Sequence, residues 1–354
     1  MKKTIVSLAA MMFMGIAMNA QTENILFIED CGTGPYKAEM VSDESLPTHT
    51  IYRPQDIDAA VKAQGKLPVI LYANGACVNN NVEMRYLLNE VASYGYIAIA
   101  IGPYDERDVN EQWKGVLKSA YPSTKEVCML ANGEIVTPPT DEEIAARQAA
   151  EQARREAAAK AAASQKKSKK NAAPQPAPFR TYPKQMLEAM DWITEQNANP
   201  ASEYYHCIDL DNVVAMGQSC GGAQTLAIAY DPRVKTVVML NTGIGDMEMQ
   251  GATKSALENL HTPIFYLIGG PVDVAYGNSA KDFERINNLP IVMINTLDGH
   301  SGTYYETHGG PYAVAVRKWL DWQLKGKISN SAFFLDDDVL KAFYPNWTVV
   351  RKNW

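Results

Sequence analysis

Val213-Val214-Ala215-Met216-Gly217-Gln218-Ser219-Cys220-Gly221-Gly222-Ala223-Gln224 is the stretch on which the fold turns. The apolar run Val213 to Met216 reads as a buried strand, and the segment opening at Gly222-Ala223-Gln224 reads as a helix. Between them, Gly217-Gln218-Ser219-Cys220-Gly221 has the spacing G-x-S-x-G in the strand-turn-helix context that a nucleophile elbow requires. A serine on so sharp a turn has a strained backbone, so the residues two before and two after it must lack bulk. Gly217 and Gly221 meet that condition. The helix that follows would direct its first backbone N–H groups toward negative charge forming beside the serine.

Working outward, short β-branched runs alternate with helical patterns from Leu67 onward, the signature of crossover units and a mostly parallel sheet. The predicted strands are Leu67 to Ala73, Tyr96 to Ile101, Asn212 to Gly217, Val234 to Asn241, Pro263 to Gly269 and Pro290 to Leu297. The predicted helices are Val82 to Ser93, Tyr182 to Gln196, Gly222 to Tyr230, Asn278 to Asn287 and Tyr312 to Leu324. Thr48 to Tyr52 alternates, so the segment Lys37 to Pro54 is expected to supply an antiparallel edge strand ahead of the parallel set. The strand runs are apolar on both faces, as expected for strands covered by helices on each side. The expected class is therefore α/β, with a mostly parallel central sheet and helices on both faces.

A serine hydroxyl needs a base to take its proton and a carboxylate to orient that base. Both belong on loops after later strands. Pro263 to Gly269 is followed by Gly270-Pro271-Val272-Asp273, and Pro290 to Leu297 by Asp298-Gly299-His300. The chain order Ser219, Asp273, His300 is that of nucleophile, acid and base in such folds. His308, eight residues beyond His300, competes for the base role, and Asp246 for the acid. Asp298 also reads as a turn residue, while His49, His206 and His261 read as surface or core histidines.

In these features the chain resembles the α/β-hydrolase superfamily. Within it, the chain is similar to secreted serine esterases of the dienelactone-hydrolase, acetylhydrolase and cutinase-like polyesterase type. Leu87 to Tyr96 followed by Ile97-Ala98-Ile99-Ala100 resembles the helix-to-strand passage of those enzymes, and the likeness spans about residues 37 to 130 and 180 to 325. It implies an α/β-hydrolase fold and ester hydrolysis through Ser219, His300 and Asp273 without metal or cofactor. It further implies an oxyanion hole made by the N–H of Cys220 and one from Asn74-Gly75-Ala76-Cys77, carried by Ala76 or Cys77. Asn74 stands where a histidine is common. Dienelactone hydrolases have a cysteine nucleophile, whereas here serine holds that position and cysteine follows it. The same residues would also serve a peptidase or amidase, or persist unused in a surface-binding protein. The amides of the Cys77 and Cys220 segments must converge, so a disulfide between these residues is one reading. The others are that both are small space-filling residues, or that Cys31, Cys128 and Cys207 pair instead.

The 354 residues are 46% hydrophobic and 21% charged, which suits one large α/β domain over residues 21–354 once a leader and an insert are set aside. Lys2 and Lys3, the apolar run Ile5 to Ala17, and Met18-Asn19-Ala20 read as a signal peptide over residues 1–20, with export to the periplasm or medium. No cysteine follows that run to take a lipid anchor, and no other run is long enough to span a membrane. The formal charge of −7 becomes 31 − 40 = −9 without Lys2 and Lys3, which disfavours nucleic acid as a partner. Five scattered histidines and five scattered cysteines form no metal-binding pattern, and no glycine-rich phosphate loop occurs. The expected partner is an ester of a small molecule, glycan or lipid; the sequence leaves the oligomeric state open. Residues 132–180 form the insert. Thr140 and Glu143 have capping-box spacing, and Glu143, Arg147, Glu151 and Arg155 recur every four residues in an alanine-rich segment. Lys166 to Lys170 and the tract Pro174 to Pro178 read as a basic linker. Because this insert has so little to bury, shortening residues 135–178 to a brief linker should leave the thermal midpoint within a few degrees. A larger drop in a circular-dichroism melt would show that the insert packs on the core.

Overall fold

The computed structural model describes residues 31–104, 181–304 and 306–354, together with Ala153. The expected leader, the insert's helix and linker, and Cys128 lie outside the described residues. Nine strands form one sheet in the order β1-β2-β4-β3-β5-β6-β7-β8-β9. They are β1 (Ala38–Val41), β2 (His49–Pro54), β3 (Leu67–Ala73), β4 (Ile97–Ile101), β5 (Ile208–Gln218), β6 (Val234–Leu240), β7 (Ile264–Ile268), β8 (Ile291–Asn295) and β9 (Thr348–Lys352). The block from β4 to β8 is parallel, while β1, β2 and β9 pair antiparallel at the two margins.

Helices cover both faces. On one side lie α1 (Ile57–Gln64), α3 (Pro183–Ala198), α4 (Cys220–Ile228) and α5 (Tyr276–Arg285); on the other lie α2 (Arg85–Ser93), α6 (Gly310–Lys325), α7 (Ala332–Leu335) and α8 (Asp337–Phe343). The strands feed the two cores with a period of two. Val69, Leu71, Ala73, Val213 and Ala215 join the first, and Ile70, Tyr72, Val214 and Met216 the second. Among the described residues no helix is long and apolar enough to cross a membrane.

Where the expected single edge strand over Lys37 to Pro54 stood, the structure has the two antiparallel strands β1 and β2. Asp43 breaks the run, because its carboxylate accepts the N–H and hydroxyl of Ser45 and its carbonyl accepts the N–H of Leu46. β5 begins at Ile208 rather than Asn212: Ile208 and Asp209 pair with Leu67 and Pro68 of β3 ahead of a register shift, and the polar Asp209, Asp211 and Asn212 give that segment no apolar period.

The tail beyond Lys327 belongs to the domain. β9 pairs with β8, and α7 and Trp354 enclose Trp319. Trp319 is fully buried, stacks on Phe265 at a centroid separation of 5.2 Å and donates its indole N–H to Thr236 Oγ1. Trp319→Ala should therefore lower the unfolding free energy by about 3–5 kcal/mol, the usual range for deleting a buried large aromatic. Urea denaturation reads this directly, and a loss below about 1 kcal/mol would contradict the packing.

Candidate active site

Parallel pairing sends the chain off the same edge of the sheet after β3, β5, β7 and β8, so four loops meet there. Ser219 follows β5 at φ 53°, ψ −118°, immediately before α4. A Cβ on Gly217 would lie 2.3 Å from the carbonyl oxygen of Gly221, and one on Gly221 would lie 2.1 Å from that of Ala73. The two glycines are thus required by the backbone's close approach to itself and to β3. The Ser219 N–H donates to the Leu240 carbonyl at 3.0 Å, and Thr242 Oγ1 donates to the Ser219 carbonyl at 2.7 Å.

The structure brings the three residues expected from the sequence into one relay. His300 Nε2 lies 2.9 Å from Ser219 Oγ, and His300 Nδ1 lies 2.7 Å from Asp273 Oδ1. An ionised carboxylate can only accept, so Nδ1 carries the hydrogen, and Nε2 is left to accept from the serine hydroxyl. The side chain of Asp273 is inaccessible, whereas that of His300 is 24% exposed; the relay is closed at its acidic end and open toward Ser219. Burial pushes the Asp273 carboxyl up. The hydrogen bond and charge of His300, the Ala275 N–H and the Asn241 amide outweigh that and hold it below the usual carboxylate range. Gly269 N–H and Asn241 Nδ2 occupy Oδ2 at 3.0 and 2.7 Å, leaving Oδ1 to face the imidazole.

The loop after β3 turns through Gly75–Cys77, with Ala76 and Cys77 both at φ 51°. Asn74, in the position where a histidine is common, pins this loop by donating Nδ2 to the carbonyls of Val78 and Ile101. Of the two residues expected to carry an oxyanion donor here, Cys77 donates its N–H to the Asn74 carbonyl at 3.3 Å. Ala76 is solvent-exposed. Cys77 and Cys220 form a disulfide with Cα atoms 5.3 Å apart, tying the loop to the first residue of α4. Gln218 adds a further tie, donating Nε2 to the carbonyl of His300.

The competitors lie elsewhere. His308 is buried beside Glu90, its Nδ1 3.8 Å from the carboxylate, and burial lowers its pKa to about 4. Asp246 is an exposed partner of Lys281 and Arg285. His49 packs against the Gln185 carbonyl, and His206 and His261 are exposed. Asp298 donates its N–H to Thr296 Oγ1 in the turn before His300. Among the described residues no group of three or more His, Cys, Asp or Glu side chains is placed to hold a metal ion. Sequence reasoning missed Asn241 and Gln218; the latter could have been weighed as the variable residue ahead of Ser219, whereas nothing in a single sequence marks an asparagine at the end of β6.

No protein-family model matches the chain, and no curated protein sequence matches it.

Because the Gly221 Cα faces the β3 carbonyl so closely, Gly221→Ala should cost about 2–4 kcal/mol of stability, as a methyl forced against backbone does. Denaturant unfolding of the purified variant would show it, and a change below about 1 kcal/mol would contradict the described turn.

Proposed function

We propose that this chain is an exported serine hydrolase of carboxylic esters, built on the α/β-hydrolase fold. The observation that carries the proposal is the continuous relay from Ser219 Oγ through His300 to buried Asp273, at 2.9 and 2.7 Å. In this reading Ser219 Oγ attacks the ester carbonyl carbon while His300 Nε2 takes the hydroxyl proton. The carbonyl oxygen becomes an oxyanion, held by the N–H groups of Cys220 and Ala76; a single donor of this kind is worth roughly 10²–10³ in rate. Collapse breaks the bond to the alkoxy oxygen, which leaves as an alcohol with the proton from His300. Water then attacks the acyl-serine with His300 again as base, releasing the acid and restoring the hydroxyl. Asp273 stays ionised throughout, its carboxylate stabilising the imidazolium that forms at each step.

Export rests on the leader-like first 20 residues and points to extracellular esters of small molecules, glycans or lipids. Val78 and Val274, exposed apolar residues next in sequence to Cys77 and Asp273, support an acyl or aryl group over a charged one.

Ser219 should be the sole residue labelled by a fluorophosphonate, and Ser219→Ala should abolish both labelling and turnover of p-nitrophenyl esters. His300→Ala should reduce turnover roughly 10³-fold or more, while His308→Ala should leave it within a few-fold. Labelling that survives Ser219→Ala, or a full-rate His300→Ala variant, would overturn the assignment.

A further inference from the structure

We infer that Asn241 is a positioning residue for the hydrolytic relay, with its amide orientation set by Tyr304; the inference rests on the esterase reading above. Asn241 follows β6 directly at φ 46°, fully buried, in a left-handed conformation that asparagine tolerates better than other residues with a Cβ. Its backbone N–H donates to the Leu267 carbonyl at 2.8 Å, which locks it to the end of β7, the strand that delivers Asp273. Its side chain then reaches both remaining parts of the relay. Nδ2 donates to Asp273 Oδ2 at 2.7 Å and to the carbonyl of Gly299, the residue before His300, at 2.9 Å.

An amide can present either end. Here the hydroxyl of Tyr304, four residues beyond His300 and fully buried, donates to Asn241 Oδ1. That bond holds the oxygen away from the carboxylate and turns both N–H groups toward Asp273 and Gly299. Reversed, the amide would set its oxygen against an ionised carboxylate. Tyr304 itself stands edge-on to Tyr312 at a centroid distance of 5.2 Å, and Tyr312 shares a hydrogen bond with Thr296 Oγ1, so the phenol is fixed from behind. One amide therefore fixes the distance between the loop that holds the acid and the loop that holds the base. It also fills Oδ2, leaving Oδ1 for His300. Neither contact reaches the substrate, so the effect should fall on the rate of proton transfer and not on binding.

The test compares Asn241→Gly, Asn241→Asp and Tyr304→Phe with the parent protein. Glycine accepts the positive φ without strain while removing both donors. Active sites are titrated with a fluorophosphonate, and kcat per titrated site and KM are measured on a p-nitrophenyl ester. A parent protein that is not labelled at Ser219 would refute the esterase reading itself. Given a labelled parent, Asn241→Gly should lower kcat about 10- to 100-fold, the range expected on losing a hydrogen bond to a charged group, with KM within about twofold. Asn241→Asp, which keeps the shape but sets a second carboxylate beside Asp273, should lower kcat at least as far. Tyr304→Phe, which frees the amide to rotate, should show a smaller loss of the same kind, and it decides the matter if the Asn241 variants do not fold. A merely structural role would lower the unfolding midpoint and leave kcat per titrated site unchanged. That result, or a loss confined to KM, would overturn the inference.

Discussion

The backbone of Ser219 sets the terms for its surroundings. Holding a residue with a Cβ at φ 53°, ψ −118° costs on the order of 1–3 kcal/mol, and the surroundings keep it there. Gly217 and Gly221 let the turn close on itself and on β3, Leu240 and Thr242 bind its N–H and carbonyl, and the disulfide from Cys220 to Cys77 ties its far side to the neighbouring loop. The sheet beneath supplies the rigidity. β3, β5 and β6 are buried on both faces at the level of the turn, so the elbow stands on closely packed sheet.

Electrostatics then select what the turn can do. A buried carboxylate without partners would take up a proton, and Asp273 avoids this because its oxygens accept from His300, Ala275, Gly269 and Asn241. The charge kept in this way fixes the tautomer of His300 and leaves Nε2 to accept from Ser219. Burial likewise disfavours the charged form of His308 and lowers its pKa to about 4. Two histidines eight residues apart thus differ in role through what surrounds them.

Much of this was legible in the sequence where burial imposes a pattern. The run Leu67–Ala73 is a strand at the residues its apolar stretch predicts, and the elbow's glycines sit where close backbone approach demands them. Ser219, Asp273 and His300 were readable because each comes shortly after a strand with a buried apolar run. What escaped lacks such a pattern. α1 is a single amphipathic stretch of eight residues capped by Asp56, and β9 is half-exposed and held by pairing with β8 rather than by its own hydrophobicity. The hydrogen bond from Cys77 to Asn74 and the contacts of Asn241 across 32 and 58 residues of chain leave no local signature.

In the proposed mechanism the loop after β3 and the start of α4 direct two N–H groups at one oxygen beside Ser219. A crystal structure of the protein inhibited by a phosphonate tests it most directly, because the phosphonyl oxygen occupies the place of the oxyanion. The account predicts phosphorus bonded to Ser219 Oγ, with that oxygen within about 2.7–3.1 Å of the N–H groups of Ala76 and Cys220 and the Cys77–Cys220 bridge intact. A phosphonyl oxygen facing solvent or another set of donors, or an adduct on a different residue, would contradict it.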